Sequence, residues 1–87
     1  MSKELGQMLK KHRANAGLTQ NDVSKKFGYT SSQFISNWER GLSQPPLDIL
    51  VDLCTMLKIP KSAVKELLIR NAVQQLEMKI DKSFKKA

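Results

Sequence analysis

The chain has few of the residues that stabilise small secreted domains or build catalytic centres. Its 87 residues include a single cysteine, Cys54, and a single histidine, His12. This excludes an intrachain disulfide and argues against a structural zinc site, which normally takes four ligands. No apolar run approaches the roughly 20 residues of a membrane span, and the N-terminus lacks the apolar core of a signal peptide. We therefore expect a cytoplasmic protein without metal, cofactor or membrane contact.

Glycine and proline are also scarce, with four and three copies, and they stand between apolar segments rather than inside them. The exception is Gly6, near the start of the first segment. No stretch alternates apolar and polar residues for long beside glycine-rich turns, so a sheet is not expected. The length fits one domain with a modest core, in which Cys54 is expected to be a small buried hydrophobe. These features predict an all-α fold.

Acidic residues are few. Eight aspartates and glutamates stand against fifteen lysines and arginines, which gives a net charge of +7. This surplus favours polyanions such as DNA, RNA or an anionic membrane face, and charge alone does not choose among them. Neither paired carboxylates nor a glycine-rich phosphate loop is evident, and His12 has no recognisable catalytic partner. We do not expect an enzyme.

Helical periodicity and breakers divide the chain into five predicted helices. Ser2 and Gly17 are expected to cap the first, Thr19 with Asp22 to cap the second, and the end of the chain from Lys82 to Ala87 to fray. The predicted helices run from about Ser2 to Asn15, Thr19 to Phe27, Ser31 to Arg40, Pro46 to Leu57, and about Lys61 to Lys82.

The second and third predicted helices are short and are joined by a tight turn, Gly28 to Thr30, which is typical of a helix-turn-helix. Such a motif inserts its second helix into the major groove, where hydrogen-bonding side chains can read base edges. Ile35 and Trp38 are expected to pack on the opposite face. The polar side chains at the start and exposed face of this helix are Ser31, Ser32, Gln33, Ser36 and Asn37.

Several motifs occur in order with helical spacing. They are Gly17-Leu18-Thr19-Gln20, Val23, Phe27-Gly28, Ile35-Ser36-Asn37-Trp38-Glu39-Arg40-Gly41, Pro46 and Leu50. Over residues 5 to 68 these motifs resemble the Cro- and lambda-repressor-type family, also called XRE-like. The resemblance implies a five-helix lambda-repressor-like fold, with a DNA-binding domain at 1–69 and a helical extension with a basic tail at 70–87. The stretch from Gly28 to Glu39 is one residue longer than the family pattern.

The resemblance also implies roles for individual side chains. Arg13 and Glu39 correspond to a charged pair that ties the first helix to the end of the third. Ser32, Gln33 and Asn37 correspond to base-reading positions, and Gln20, Ser43 and Gln44 to positions that meet the phosphate backbone. The residue types add Ser36 and Phe34, beside them on the third helix, to the residues expected to contact bases, and the basic side chains of Lys25 and Arg40 to those expected to contact phosphates.

Some of these side chains have a second interpretation. Phe34 either touches a thymine methyl group or packs on Tyr29 to support the longer turn. Ser31 either contacts DNA or caps its helix. Gln20 either contacts a phosphate and braces the third helix or simply begins the second.

The last predicted helix has more apolar surface than one small domain needs. Either this helix folds back on its own core or it meets a second copy, and the resemblance favours a homodimer on an inverted-repeat operator in double-stranded DNA. The alternative is a monomer with a long terminal helix and a solvated basic tail. The residues expected at the dimer contact are Val64, Leu68, Ala72, Leu76 and Ile80.

The sequence therefore predicts a sequence-specific transcriptional regulator, in particular a repressor. The alternative is an antitoxin of the same fold, which would bind a toxin as its protein partner and repress its own operon. A peripheral membrane role is not favoured, because the basic tail has no aromatic anchor other than Phe84.

Overall fold

The computed structural model describes residues 3–86, excluding the side chain of Lys86, and contains five α-helices and no strand in that range. This confirms the predicted all-α, five-helix class. The helices are α1 (Lys3–Asn15), α2 (Gln20–Lys26), α3 (Gln33–Glu39), α4 (Leu47–Leu57) and α5 (Lys61–Lys86).

Most helix boundaries lie within one residue of the prediction, including the start of α4, where Pro46 is the N-cap rather than the first helical residue. Two boundaries differ by more. Helix α3 begins at Gln33, so Ser31 and Ser32 belong to the preceding turn. Helix α5 continues to Lys86, so the predicted fraying is wrong for residues 82–86. Its periodic charged and apolar side chains continue the helix without a glycine or proline to end it. The predicted Ser2 cap and the final Ala87 lie outside the described residues.

The core lies among α1, α3, α4 and the first half of α5. Trp38 from α3 and Val23 from α2 enter this core, so the helix-turn-helix is anchored to the remainder of the domain. Cys54 is buried, as predicted, and burial raises the pKa of its thiol. The buried apolar residues are Leu5, Leu9, Val23, Ile35, Trp38, Leu50, Leu53, Cys54, Leu57, Ile59, Val64 and Leu67.

Helix α1 contacts the end of α3 at Gly6. A Cβ atom at this position would lie 2.6 Å from the carbonyl oxygen of Trp38 and closer still to that of Glu39. No side chain fits into so small a space, because these neighbours are backbone atoms rather than flexible side chains. The glycine inside α1 therefore lets two helices approach at the backbone level and fixes where α3 ends.

Thr19 caps α2 through reciprocal hydrogen bonds. The Asp22 backbone N–H donates to the Thr19 hydroxyl (3.0 Å), and the Thr19 backbone N–H donates to the Asp22 carboxylate (2.8 Å). This is the predicted capping arrangement, and it satisfies donors that a helix start leaves unpaired. The hydrogen bond from the Thr19 backbone lowers the pKa of Asp22. The cap thus determines where α2 begins.

Helix α5 leaves the body of the domain after its first turns. Val64 and Leu67 are buried in the core, whereas every described side chain from Ala72 to Lys85 is exposed. At about 1.5 Å per residue the helix is about 39 Å long. The longest dimension of the molecule is 50 Å.

Candidate nucleic-acid interface

A six-residue turn, residues 27–32, connects α2 to α3. Gly28 has φ +74°, a left-handed conformation that glycine adopts without steric cost. The Gly28 N–H donates to the Lys25 carbonyl (3.2 Å) and the Tyr29 N–H to the Ser24 carbonyl (3.0 Å). These bonds close the end of α2 and direct the chain back towards α3. The connection is longer than the predicted Gly28–Thr30 turn, because α3 begins later.

Four aromatic rings support this turn and connect it to the core. The Tyr29 ring lies 4.9 Å from Phe34, 5.9 Å from Trp38 and 6.4 Å from Phe27, measured between centroids. Phe34 also lies 6.4 Å from Trp38. Such tilted and edge contacts are favourable beyond the area they bury. Phe34 thus packs on Tyr29 as one interpretation predicted, yet it remains 54% exposed.

The exposed side of α3 has a polar face that contains two amide side chains. Gln33, the first residue of the helix, is exposed, and Asn37 is half-buried. The Gln33 Nε2 atom donates a hydrogen bond to the Asn37 Oδ1 atom at 2.9 Å. Ser36 lies half-buried beside them. The opposite face of α3 packs inward through Ile35, Trp38 and Glu39.

The serines before α3 contribute to the helix start. Ser31 Oγ accepts a bond from the Gln33 backbone N–H at 3.3 Å, so the capping interpretation of Ser31 has a contact in the structure. Ser32 occupies the N-cap position without a capping side-chain bond, and its carbonyl accepts from the Ser36 N–H at 2.9 Å. The Ser32 side chain is half-buried at the edge of the polar face.

An ion pair connects α1 to the end of α3. The Arg13 Nε atom lies 2.6 Å from Glu39 Oε2, and its Nη2 atom donates to Oε1 at 3.0 Å. The third nitrogen of the guanidinium, Nη1, donates to the Leu18 carbonyl at 2.8 Å. The hydrogen bond to Glu39 raises the pKa of Arg13 further above neutrality. Arg13 therefore joins α1, the loop before α2 and the end of α3.

Gln20 contacts the same carboxylate from α2. Its Nε2 atom donates to Glu39 Oε1 at 3.1 Å, so Glu39 accepts from α1 and α2 together. The bracing contact implied for Gln20 is therefore present. One amide hydrogen and the carbonyl oxygen of Gln20 are not used in this bond.

The remaining residues predicted to contact phosphates lie on the surface around the motif. Lys25 is exposed in the last turn of α2, and Arg40 is exposed at the C-cap of α3. Ser43 is half-buried and Gln44 exposed in the loop that precedes α4. These positions flank α3 in sequence on both sides.

The residues predicted at a dimer contact fall into two groups. Val64 is only 4% exposed and lies in the core of its own chain, and Leu68 is half-buried against that core. The prediction for Val64 is wrong because its side chain is buried in the core of its own chain and cannot meet a second copy. Ala72, Leu76 and Ile80 are exposed.

The dimer contact predicted from the sequence omits Ile69, which is 54% exposed on α5. Ile69, Val73, Leu76 and Ile80 recur at intervals of four, three and four residues, and we call them the α5 stripe. This alternation is the spacing of a helix that packs along another helix, and it could have been recognised in the sequence. The predicted contact instead followed a strict interval of four residues. Towards the start of α5 this interval leads to Leu68 and Val64, which pack in the core of their own chain.

An apolar groove of about 360 Å³ adjoins the α5 stripe, between α4 and α5. Leu47 and Val51 form one wall, Leu68 and Ile69 the other, and Lys61 lies at its rim. Within residues 3–86 no cluster of metal-ligating side chains occurs. In the same range, no helix combines the length and hydropathy that a bilayer crossing requires.

Two short helices around a glycine turn, with an amide-bearing outer face anchored by a buried tryptophan, define a helix-turn-helix DNA-binding domain. The model of the XRE-type helix-turn-helix family matches residues 9–64. The chain belongs to this family, which consists of DNA-binding regulators of transcription rather than enzymes. No curated protein and no solved structure matches the chain well enough to show a closer relative.

Proposed function

We propose that the chain binds double-stranded DNA sequence-specifically and reads the major groove with α3. The observation that carries this proposal is the division of α3 into two faces. Ile35 and Trp38 fix the helix to the core, while Gln33 and Asn37 face outward. The major groove admits one α-helix and displays a distinct donor and acceptor pattern for each base pair.

Gln33 is the main base-reading residue in this proposal. Its bond to Asn37 uses one amide hydrogen, which leaves the second hydrogen and the Oε1 atom for DNA. These two groups match the N7 acceptor and the N6 donor of adenine. Asn37 keeps its own amide hydrogens for a neighbouring base edge or phosphate, and Ser32 and Ser36 border the same surface.

A binding-site selection from random duplex DNA tests base reading directly. We expect wild type to select one motif, and Gln33→Ala to lose about 1–3 kcal/mol at a single adenine position per half-site. Gln74→Ala, which removes an exposed amide from α5, is the matched control and should retain the motif. Equal weakening of every sequence by Gln33→Ala would refute the base-reading role.

Phosphate contacts would come from Gln20, Lys25, Arg40, Ser43 and Gln44 on either side of α3. Each phosphate neutralised by a basic side chain releases counterions, so Lys25→Ala should lower the salt slope of binding by about one. Lys65→Ala, in the α4–α5 groove, is the control and should leave the slope unchanged. A slope unaffected by Lys25→Ala would exclude this lysine from the interface.

We further propose that the protein acts as a homodimer on an inverted repeat, with the α5 stripe at the contact. Half-sites about 34 Å apart place two recognition helices on one side of the duplex. In sedimentation, Leu76→Asp should shift the mass towards monomer, whereas Gln74→Asp on the opposite side of α5 should not. A Leu76→Asp protein with the mass of wild type would exclude Leu76 from the contact.

Repression is the regulatory outcome that we propose, because occupation of the groove over a promoter excludes other proteins from the same DNA. Reporter expression should rise when Gln33→Ala replaces wild type. The antitoxin alternative also predicts repression, and it further predicts that a second, different chain co-purifies with the wild-type protein from its native cells. Purification of this chain alone from those cells would reject that alternative.

A further inference from the structure

We propose that Phe34 recognises the 5-methyl group of a pyrimidine beside the base that Gln33 reads. This rests on the DNA-reading function proposed above and adds an apolar component to it. The recognised chemistry is the methyl group of thymine, which projects into the major groove. The same group at the same ring position occurs in 5-methylcytosine.

Phe34 combines exposure with rigidity. Phe34 is 54% exposed, although it is a large apolar residue on the same short helix as the amides of Gln33 and Asn37. Its ring lies 4.9 Å from that of Tyr29 and 6.4 Å from that of Trp38, which is buried in the core. An aromatic ring held in this way loses little conformational entropy when it meets a ligand.

The position of Phe34 on α3 places its ring next to the amides. Successive residues are separated by about 100° around a helix, so Gln33 and Asn37 are about 40° apart and Phe34 lies about 60° beyond Asn37. Phe34 therefore borders the polar face on the side that Tyr29 and Trp38 support. If Gln33 contacts an adenine, the same placement of α3 brings the Phe34 ring to the thymine methyl groups along that wall of the major groove.

The six-residue turn explains why such a ring can be present at the surface. Tyr29 follows Gly28 directly and lies half-buried between the core and Phe34. Without Tyr29, the exposed ring of Phe34 would have no support from the turn. The extra length between α2 and α3 therefore has a physical role, because it inserts an aromatic support under a base-facing side chain.

A methyl scan of the DNA tests this proposal. Each thymine of the duplex selected by the wild-type chain is replaced in turn by deoxyuridine, which lacks only the methyl group. Affinity is measured by fluorescence anisotropy for wild type, Phe34→Ala and Phe84→Ala. Phe84, also exposed but near the end of α5, is the matched control.

We expect wild type and Phe84→Ala to lose about fourfold in affinity at one thymine per half-site, the effect of one buried methyl group. Phe34→Ala should be insensitive to deoxyuridine at that position. Wild type should bind a duplex with 5-methylcytosine at that position more tightly than one with cytosine there. Phe34→Ala should bind these two duplexes with equal, reduced affinity.

Two results would overturn the proposal. Insensitivity of wild type to every methyl removal would show that no methyl group is read, while an effect that persists in Phe34→Ala would assign the methyl to another residue. If a Gln33-dependent motif is still selected, only the role of Phe34 fails. If no motif is selected at all, the proposed function fails with it.

Discussion

The ion pair between Arg13 and Glu39 offers the sharpest test of how α3 is held against the rest of the domain. The Glu39 side chain is 4% exposed and that of Arg13 14%. Replacing Arg13 by methionine keeps an apolar stem but leaves the carboxylate with Gln20 as its remaining side-chain donor among the described residues. Breaking a buried pair from one side typically costs about 3–5 kcal/mol, and partial exposure of Arg13 favours the lower end.

We therefore expect Arg13→Met to lower the free energy of unfolding by about 3 kcal/mol. Glu39→Gln, which loses charge-assisted bonds but keeps an amide, should cost about 2 kcal/mol. The double variant should cost about 3 kcal/mol rather than the sum, because neither charge then remains buried without its partner. Urea denaturation followed by circular dichroism measures all three.

The exposed pair between Arg70 and Glu4 is the control. Its nitrogen-to-oxygen distance is 2.9 Å, yet the two side chains are 54% and 69% exposed. Arg70→Met should cost no more than about 0.5 kcal/mol, because water screens such pairs. The reasoning fails if Arg13→Met and Glu39→Gln are additive within about 0.5 kcal/mol, since the coupling would then be absent.

Three further predictions follow from contacts elsewhere in the fold. Gly6→Ala should destabilise the protein by about 2 kcal/mol in urea denaturation, because the methyl group of alanine would meet backbone atoms at the end of α3. This loss should outweigh the better helix propensity of alanine. Unchanged stability would mean that α1 can move away from α3. Ser24→Ala should stabilise the protein by about 1 kcal/mol in the same assay, because the buried hydroxyl has no hydrogen-bond partner among the described residues; a loss of stability would reveal a partner. The pKa of Asp22 is lowered on folding, so its cap stabilises α2 above the ordinary aspartate pKa of about 3.9 and is lost as pH falls through the folded value. Asp22→Asn should therefore flatten the loss of stability below about pH 5, and an identical pH profile would contradict the cap.

Much of the fold could be predicted from local signals. Breakers and apolar periodicity located all five helices, and the Thr19–Asp22 spacing located the start of α2, because capping depends on a few neighbouring residues. The start of α3 was harder, since Ser31 and Ser32 satisfy cap preferences equally well. In the structure Ser32 is the N-cap residue, while the Ser31 hydroxyl accepts the hydrogen bond from the Gln33 N–H, and local preference alone does not predict this division.

The candidate site was predictable where the family resemblance gives a residue one role. The pairing of Arg13 with Glu39 belongs to this group, and it is present in the structure. The hydrogen bond from Gln20 to the same carboxylate depends on the distance between α2 and α3, which the sequence does not give, so two interpretations of Gln20 stayed open. Val64 was misassigned, because a stripe of apolar residues does not reveal which of its members the same chain already covers.

The second half of α5 has a consequence for how the protein should be handled in solution. From Ala72 onward no described side chain is buried, and helices of about 12–15 residues are marginal in water without packing. We expect the order of this segment to depend on the helix that packs against the α5 stripe, which in the proposed homodimer is α5 of a second copy. If that dimer forms, the helical signal per residue should rise as a sample is concentrated, and dilute and concentrated preparations would then differ in secondary structure as well as in mass.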